Sequence, residues 1–457
     1  MNVMDRFEKR LIPFAESVSK NKYLNALRDG FTIILPLLVI GSFFCLIANF
    51  PVAAWTDFLI SVRIGDTNLQ SVLSIPTTAT MSLMAVFIVF GIGFHYAKEE
   101  KAGGIECGFT SLMSWLLLMP FSITYIPEDG PADFAGYAVS GIPMDWLGAK
   151  GIFIGIICAF ASVKIYKYVL DKKWVIKMPA GVPPTVSKAF SALIPISFVT
   201  VVFVAVRIIF ALTPWENAFS FVYNFLQIPL MHVGGSVVAD ALVFLFAHLL
   251  WFFGIHGTNV TGSVYNAILM TLSAENLAAF QNGLELPNIV NQQFQDLFAT
   301  YGGAGSTLAL VIAMLMFGNS KRTRQLGKLC LFPGIFGINE PVIFGLPIVL
   351  NPIMAIPFML VPIINIICTY LVMKIGIVPI TNGVALPWTT PPIISGFLAT
   401  DWRGALFQAV MLAVNVVIYM PFAKVIDKTY LKEETELRTE EGDSEDISFD
   451  DFNMDDL

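Results

Sequence analysis

Apolar residues in this chain gather into blocks roughly 20 long, divided by short polar segments, instead of alternating as in a half-buried strand. A helix needs about 20 mostly apolar residues to cross a hydrocarbon core about 30 Å thick. Nine blocks meet that need: 30–50, 75–97, 105–125, 147–170, 188–212, 234–256, 302–319, 351–373 and 401–423. Two more, 333–350 and 376–398, are interrupted by Pro and Gly and read as something other than plain spans. The pattern predicts an all-α polytopic membrane protein. Composition agrees, since only 13% of the 457 residues are charged where soluble domains carry about 25%.

Basic residues orient the spans. Arg6, Lys9, Arg10, Lys20, Lys22 and Arg28 place segment 1–29 in the cytoplasm, and Lys98, Lys101 and Lys164–Lys177 follow the second and fourth spans. The charged N-terminus lacks a signal peptide's apolar core and cleavage site, so the first span is expected to direct insertion. In the second half the count fails. Span 234–256 should return to the cytoplasm, yet 257–300 holds no Lys or Arg, and the cluster Lys321, Arg322, Arg324 and Lys328 follows the next span. One crossing is missing, so 258–281 or part of 213–233 is expected to cross or re-enter. Backbone irregular at membrane depth needs surrounding protein or a water-filled cavity, and transporters bind substrates at such places. Segment 171–187 reads as a cytoplasmic linker and 214–233 as an amphipathic interfacial stretch. Residues 431–457, with twelve acids and two bases, read as a disordered acidic cytoplasmic tail. The five cysteines lie in or beside apolar runs without metal-ligand spacing and read as small hydrophobes.

Ionisable groups within spans are functional candidates, and the second half has Asp240, His248, His256 and Glu340. For Asp240 and His248 a structural hydrogen bond is as good a reading as a functional one. His256 is different, because Gly254 and Gly257 permit unwound backbone around it, with Asn259 following. Glu340 stands before Pro341, which disfavours helix at Glu340, among Gly334, Gly337, Gly345 and Pro347. A carboxylate on such backbone needs partners, and sugar hydroxyls suit it. Trp388, between Pro387 and Thr389, is either an interfacial anchor or a ring that packs on a pyranose face. Trp251 is a weaker candidate of the same kind.

The runs IHGTN (255–259), GINEPVIFG (337–345) and LPWTTPP (386–392) resemble the lactose/cellobiose/N,N'-diacetylchitobiose branch of phosphotransferase system C components. LRDGFTIILPLLVIGS (27–42) and LGAKGIF (147–153) strengthen the likeness, which covers roughly 1–430. The resemblance implies a substrate site of His256, Glu340, Trp388, Asn339, Asn259, Trp251 and Thr389, with no cofactor, metal or phosphorylated residue of the chain's own. It implies about ten transmembrane helices plus re-entrant hairpins and interfacial amphipathic helices. These would form a scaffold and dimerisation domain at 30–212 and a sugar-binding transport domain at 213–430, moving in the manner of an elevator. The expected partners are a β-linked disaccharide, a separate cytoplasmic phosphocysteine B component, the lipid bilayer and a second copy of the chain, with no nucleic acid. The expected location is the bacterial cytoplasmic membrane, both termini inside. The intramembrane acids alone would equally permit a proton- or sodium-coupled sugar transporter. An intramembrane transferase would need a nucleophile or metal motif, and no HExxH or GxSxG is present.

Overall fold

A computed structural model describes residues 20–50, 53–125, 137–179, 181–346, 348–349 and 351–445. Much of segment 1–29 and the end of the acidic tail, 446–457, lie outside the described residues. The first described helix, α1 (Lys22–Thr32), starts earlier than its apolar block because Asn21 caps it, its side chain accepting the N–H groups of Tyr23 and Leu24. After a break at Ile33–Ile34 it continues as α2 (Leu35–Ala48), with Pro36 in the first turn, where proline removes no needed donor. Besides the short helices Ala53–Ser61 and Met144–Leu147, there follow α3 (Leu69–Thr80), α4 (Met84–Glu99), α5 (Ile105–Leu118), α6 (Ile152–Asp171) and α7 (Pro184–Ala211). Two small antiparallel strand pairs, within 63–68 and between 122–125 and 137–140, are not helical. Residues 172–179 and 181–183 carry no helix, whereas 184–187 of the expected linker already belong to α7. These helices enclose one core, centred on Phe31, Ile88, Ile92, Tyr96, Trp115, Cys158 and Phe219.

The second half begins with a bent pair of helices. Helix α8 (Ala218–Gly234) meets α9 (Val237–Phe252) at a bend of 71°. It is followed by α10 (Gly257–Gln281), a 25-residue helix and thus roughly 37 Å long at 1.5 Å per residue. Thr258, Asn259, Thr261, Ser263 and Asn266 make α10 too polar to stand out by hydropathy. Counted as a crossing, it puts Lys98–Lys101, Lys164–Lys177 and Lys321–Lys328 on one side. The chain then runs through an irregular stretch, 291–306, into α11 (Thr307–Phe317), α12 (Lys321–Ile335) and the six-residue α13 (Glu340–Gly345). Helix α14 (Pro352–Lys374) leads to residues 376–393, which are non-helical, then to α15 (Ile394–Ala399) and α16 (Trp402–Glu445). The blocks 333–350 and 376–398 are therefore broken, as their Pro and Gly content requires. Segment 431–445, expected as disordered tail, is instead helical, continuing α16. Two further cores hold this half, one around Val311, Met314, Phe358 and Tyr419, the other around Leu269, Phe294, Phe298 and Ile366.

Among the described residues seven helices are long and apolar enough to cross a membrane, eight if the bent pair forms one span. Helix α5 is apolar but has only 14 residues. Large side chains such as Val201, Leu212 and Phe332 point outward at 69%, 84% and 72% exposure, which only a lipid or protein neighbour makes favourable.

Candidate functional site

The irregular segments of the second half meet around one cavity of about 770 Å³, walled as well by residues of α1 and α2. His256 is the N-cap of α10, and its Nδ1 accepts the Asn259 N–H at 3.3 Å and faces the Thr258 hydroxyl at 3.2 Å. With Nδ1 accepting, a neutral ring carries its proton on Nε2. The cap thereby fixes the tautomer. The ring lies 4.3 Å, centroid to centroid, from that of the buried Trp251.

Glu340 begins α13 and is exposed on the cavity wall, with no hydrogen bond or ion pair to its carboxylate among the described residues. Its neighbour Asn339 is buried and anchored, donating through Nδ2 to the Ala304 carbonyl at 2.8 Å and the Thr307 hydroxyl at 3.0 Å. Opposite it is Gly303, at φ +85°, where a Cβ would stand 2.5 Å from the Gly337 carbonyl and 2.6 Å from Asn339 Cγ. Only glycine lets the 301–306 loop press this closely on the Glu340 loop. Gly337, at φ +80°, lies under the Trp388 ring, whose nearest carbons would be 3.1 Å from an added Cβ. Trp388 itself is 57% exposed, so a flat ring faces outward from a fixed base.

His256, Asn259, Trp251, Asn339, Glu340 and Trp388 thus line one cavity, whereas Thr389 does not and Thr390 takes its place on the wall. His248 stands apart. It is fully buried, its Nδ1 donating to the Phe244 carbonyl and its Nε2 accepting the Gly305 N–H, both at 2.8 Å. Those two hydrogen bonds are the structural role that its burial calls for. Asp240 is also fully buried and accepts from Gln295 Nε2 at 3.0 Å, behind the wall that Gln295 helps to form. The sequence reading missed Gln292, Gln293 and Asp296, which line the cavity from a π-helical turn and its approach, and Arg28 and Thr32 on α1. The run NQQFQD, polar within an otherwise apolar half, was the available signal.

A chain that crosses the bilayer many times, with a polar and aromatic chamber on glycine-broken backbone, has the form of a small-molecule permease. Residues 28–362 match the family model "Phosphotransferase system, EIIC". The chain belongs to that family and is a multi-pass protein of the bacterial plasma membrane. It is 40% identical over 444 residues to the oligo-beta-mannoside-specific EIIC component of Bacillus subtilis (strain 168), covering 96% of this chain and 97% of that protein. It is 39% identical over 439 residues to the cellobiose-specific EIIC component of Geobacillus stearothermophilus, covering 94% and 96%. The crystal structure of ChbC, the IIC component from the N,N'-diacetylchitobiose-specific phosphotransferase system, superposes with a TM-score of 0.90 at 38% identity, covering 94% of this chain and 99% of that one.

Proposed function

We propose that this chain carries a β-linked disaccharide, of the cellobiose or diacetylchitobiose type, and presents its 6-hydroxyl to a separate phosphocysteine B component. The carrying observation is the convergence of His256, Asn259, Glu340 and Trp388 on one cavity, whose volume suits a small ligand. Trp388 offers a face to a pyranose ring, the His256 Nε2–H donates to a hydroxyl oxygen, and Glu340 accepts a hydroxyl proton. The sugars named for the relatives support the substrate class.

In the transfer, the sugar oxygen forms a bond to phosphorus as the donor's S–P bond breaks. The electron pair leaves on the donor thiolate, and the hydroxyl proton passes to Glu340. The site would travel with 213–430 against 30–212 in an elevator-like motion, in a homodimer with both termini cytoplasmic. The common side of the basic clusters supports that orientation. A proton relay through Asp240 and His248 is less well supported, because His248 has both nitrogens engaged by backbone.

Calorimetry on the purified protein with cellobiose, diacetylchitobiose, lactose and gentiobiose tests the substrate class. Binding of at least one of the first two, in preference to lactose, is expected. Folded protein that binds none of the four would overturn the reading.

A further inference from the structure

Among the described residues Arg28 is the one Lys or Arg on the cavity wall, and an uncharged sugar gives a guanidinium no counter-ion. Arg28 sits on α1, which packs directly against α10, the helix that His256 begins. Its Nε donates to Asp29 Oδ1 at 2.8 Å, which neutralises one edge of the fork. Its Nη1 and Nη2 have no protein partner among the described residues, and the side chain is 41% exposed. Glu340, on the same cavity, is not paired with it. A guanidinium with two open NH2 groups matches the oxygens of a phosphate far better than those of a neutral hydroxyl. Its location agrees with this chemistry. Lys20 and Lys22 stand at the start of α1, and Lys98 and Lys101 at the end of α4, the helix packed on α1, marking this end as cytoplasmic. A cytoplasmic phosphoryl donor would approach from that end.

We propose that Arg28 binds the phosphoryl group as it joins the sugar, and grips the phosphate of the sugar phosphate just formed. The inference rests on the phosphotransferase reading above. It gives the two walls different tasks: α10, α13 and residues 386–392 hold the neutral sugar, and α1 reads the charge added to it.

The test uses the full-length protein in proteoliposomes with the purified soluble phosphotransferase proteins and phosphoenolpyruvate. Three quantities are compared between wild type, R28Q and R28K: affinity for cellobiose, affinity for cellobiose 6-phosphate, and the rate of cellobiose phosphorylation. R28Q is expected to bind cellobiose within about twofold of wild type while losing about tenfold or more in both 6-phosphate affinity and rate. R28K, with charge but no fork, should fall between them. Wild-type 6-phosphate affinity and rate in R28Q would overturn the proposal, and so would a parallel loss of cellobiose affinity. Should R28Q fail to insert, R28K decides: weaker 6-phosphate binding at unchanged cellobiose affinity supports the grip, and no change in either contradicts it. Failure of the parent reading is distinct, since wild type itself would then phosphorylate neither cellobiose nor diacetylchitobiose.

Discussion

At the scale of single residues, the site is a set of groups held ready by their neighbours. Asn259 and Thr258 occupy His256 Nδ1 and leave Nε2 to the cavity, while Glu340 keeps both oxygens open. Glu340→Ala is therefore expected to abolish disaccharide binding with insertion unchanged, as read by calorimetry beside a membrane-yield assay. Near-wild-type affinity would refute its role. Trp388→Ala should weaken binding by about 1–3 kcal/mol, the size of a lost stacking contact. If affinity holds and only insertion falls, Trp388 is an interfacial anchor. His256 and Glu340 were legible because glycine and proline beside an ionisable residue within an apolar run are locally anomalous. Arg28 was not, since a lone arginine before a first span looks like ordinary topology signalling. Thr389 and Thr390 show the same limit, because which threonine faces inward depends on a turn that the sequence does not specify.

At the scale of elements, the Glu340 loop depends on contacts made far away in sequence. Asn339 ties it to Ala304 and Thr307, and Gly303 permits the approach. Gly303→Val should displace Asn339 and remove sugar binding, a loss visible by calorimetry even where the protein still reaches the membrane. The helix leading to that loop, α12, is fixed at its other end by α16. Asp427, 2% exposed, accepts the N–H groups of Asn319 and Ser320, and Glu434 accepts those of Lys321 and Arg322. Four successive donors are satisfied by two carboxylates placed where the helix dipole favours negative charge. Asp427→Ala should cost about 1–3 kcal/mol, the penalty for buried donors left unpaired, seen as a lowered midpoint in thermal unfolding of purified protein. An unchanged midpoint would show the cap to be dispensable. This pairing explains why part of the acidic tail is helical. Composition registers the excess of acids but not the helix end that awaits them.

At the scale of the molecule, hydropathy and charge made most of the first half legible, because each of its long helices is a separate apolar block. They failed in the second half for a physical reason. Helix α10 faces the cavity with polar residues, so its hydropathy falls short of a span's. The helix that would restore the charge count is therefore also one wall of the cavity. The central claim, a sugar carrier whose cargo is phosphorylated during passage, is tested most directly in proteoliposomes holding only this chain. Labelled cellobiose or diacetylchitobiose is supplied with and without the soluble phosphotransferase proteins and phosphoenolpyruvate, and the chemical form of the internal label is read. Simple equilibration of unmodified sugar is expected without them, and sugar phosphate with them. Accumulation of unmodified sugar driven by a proton or sodium gradient would contradict it.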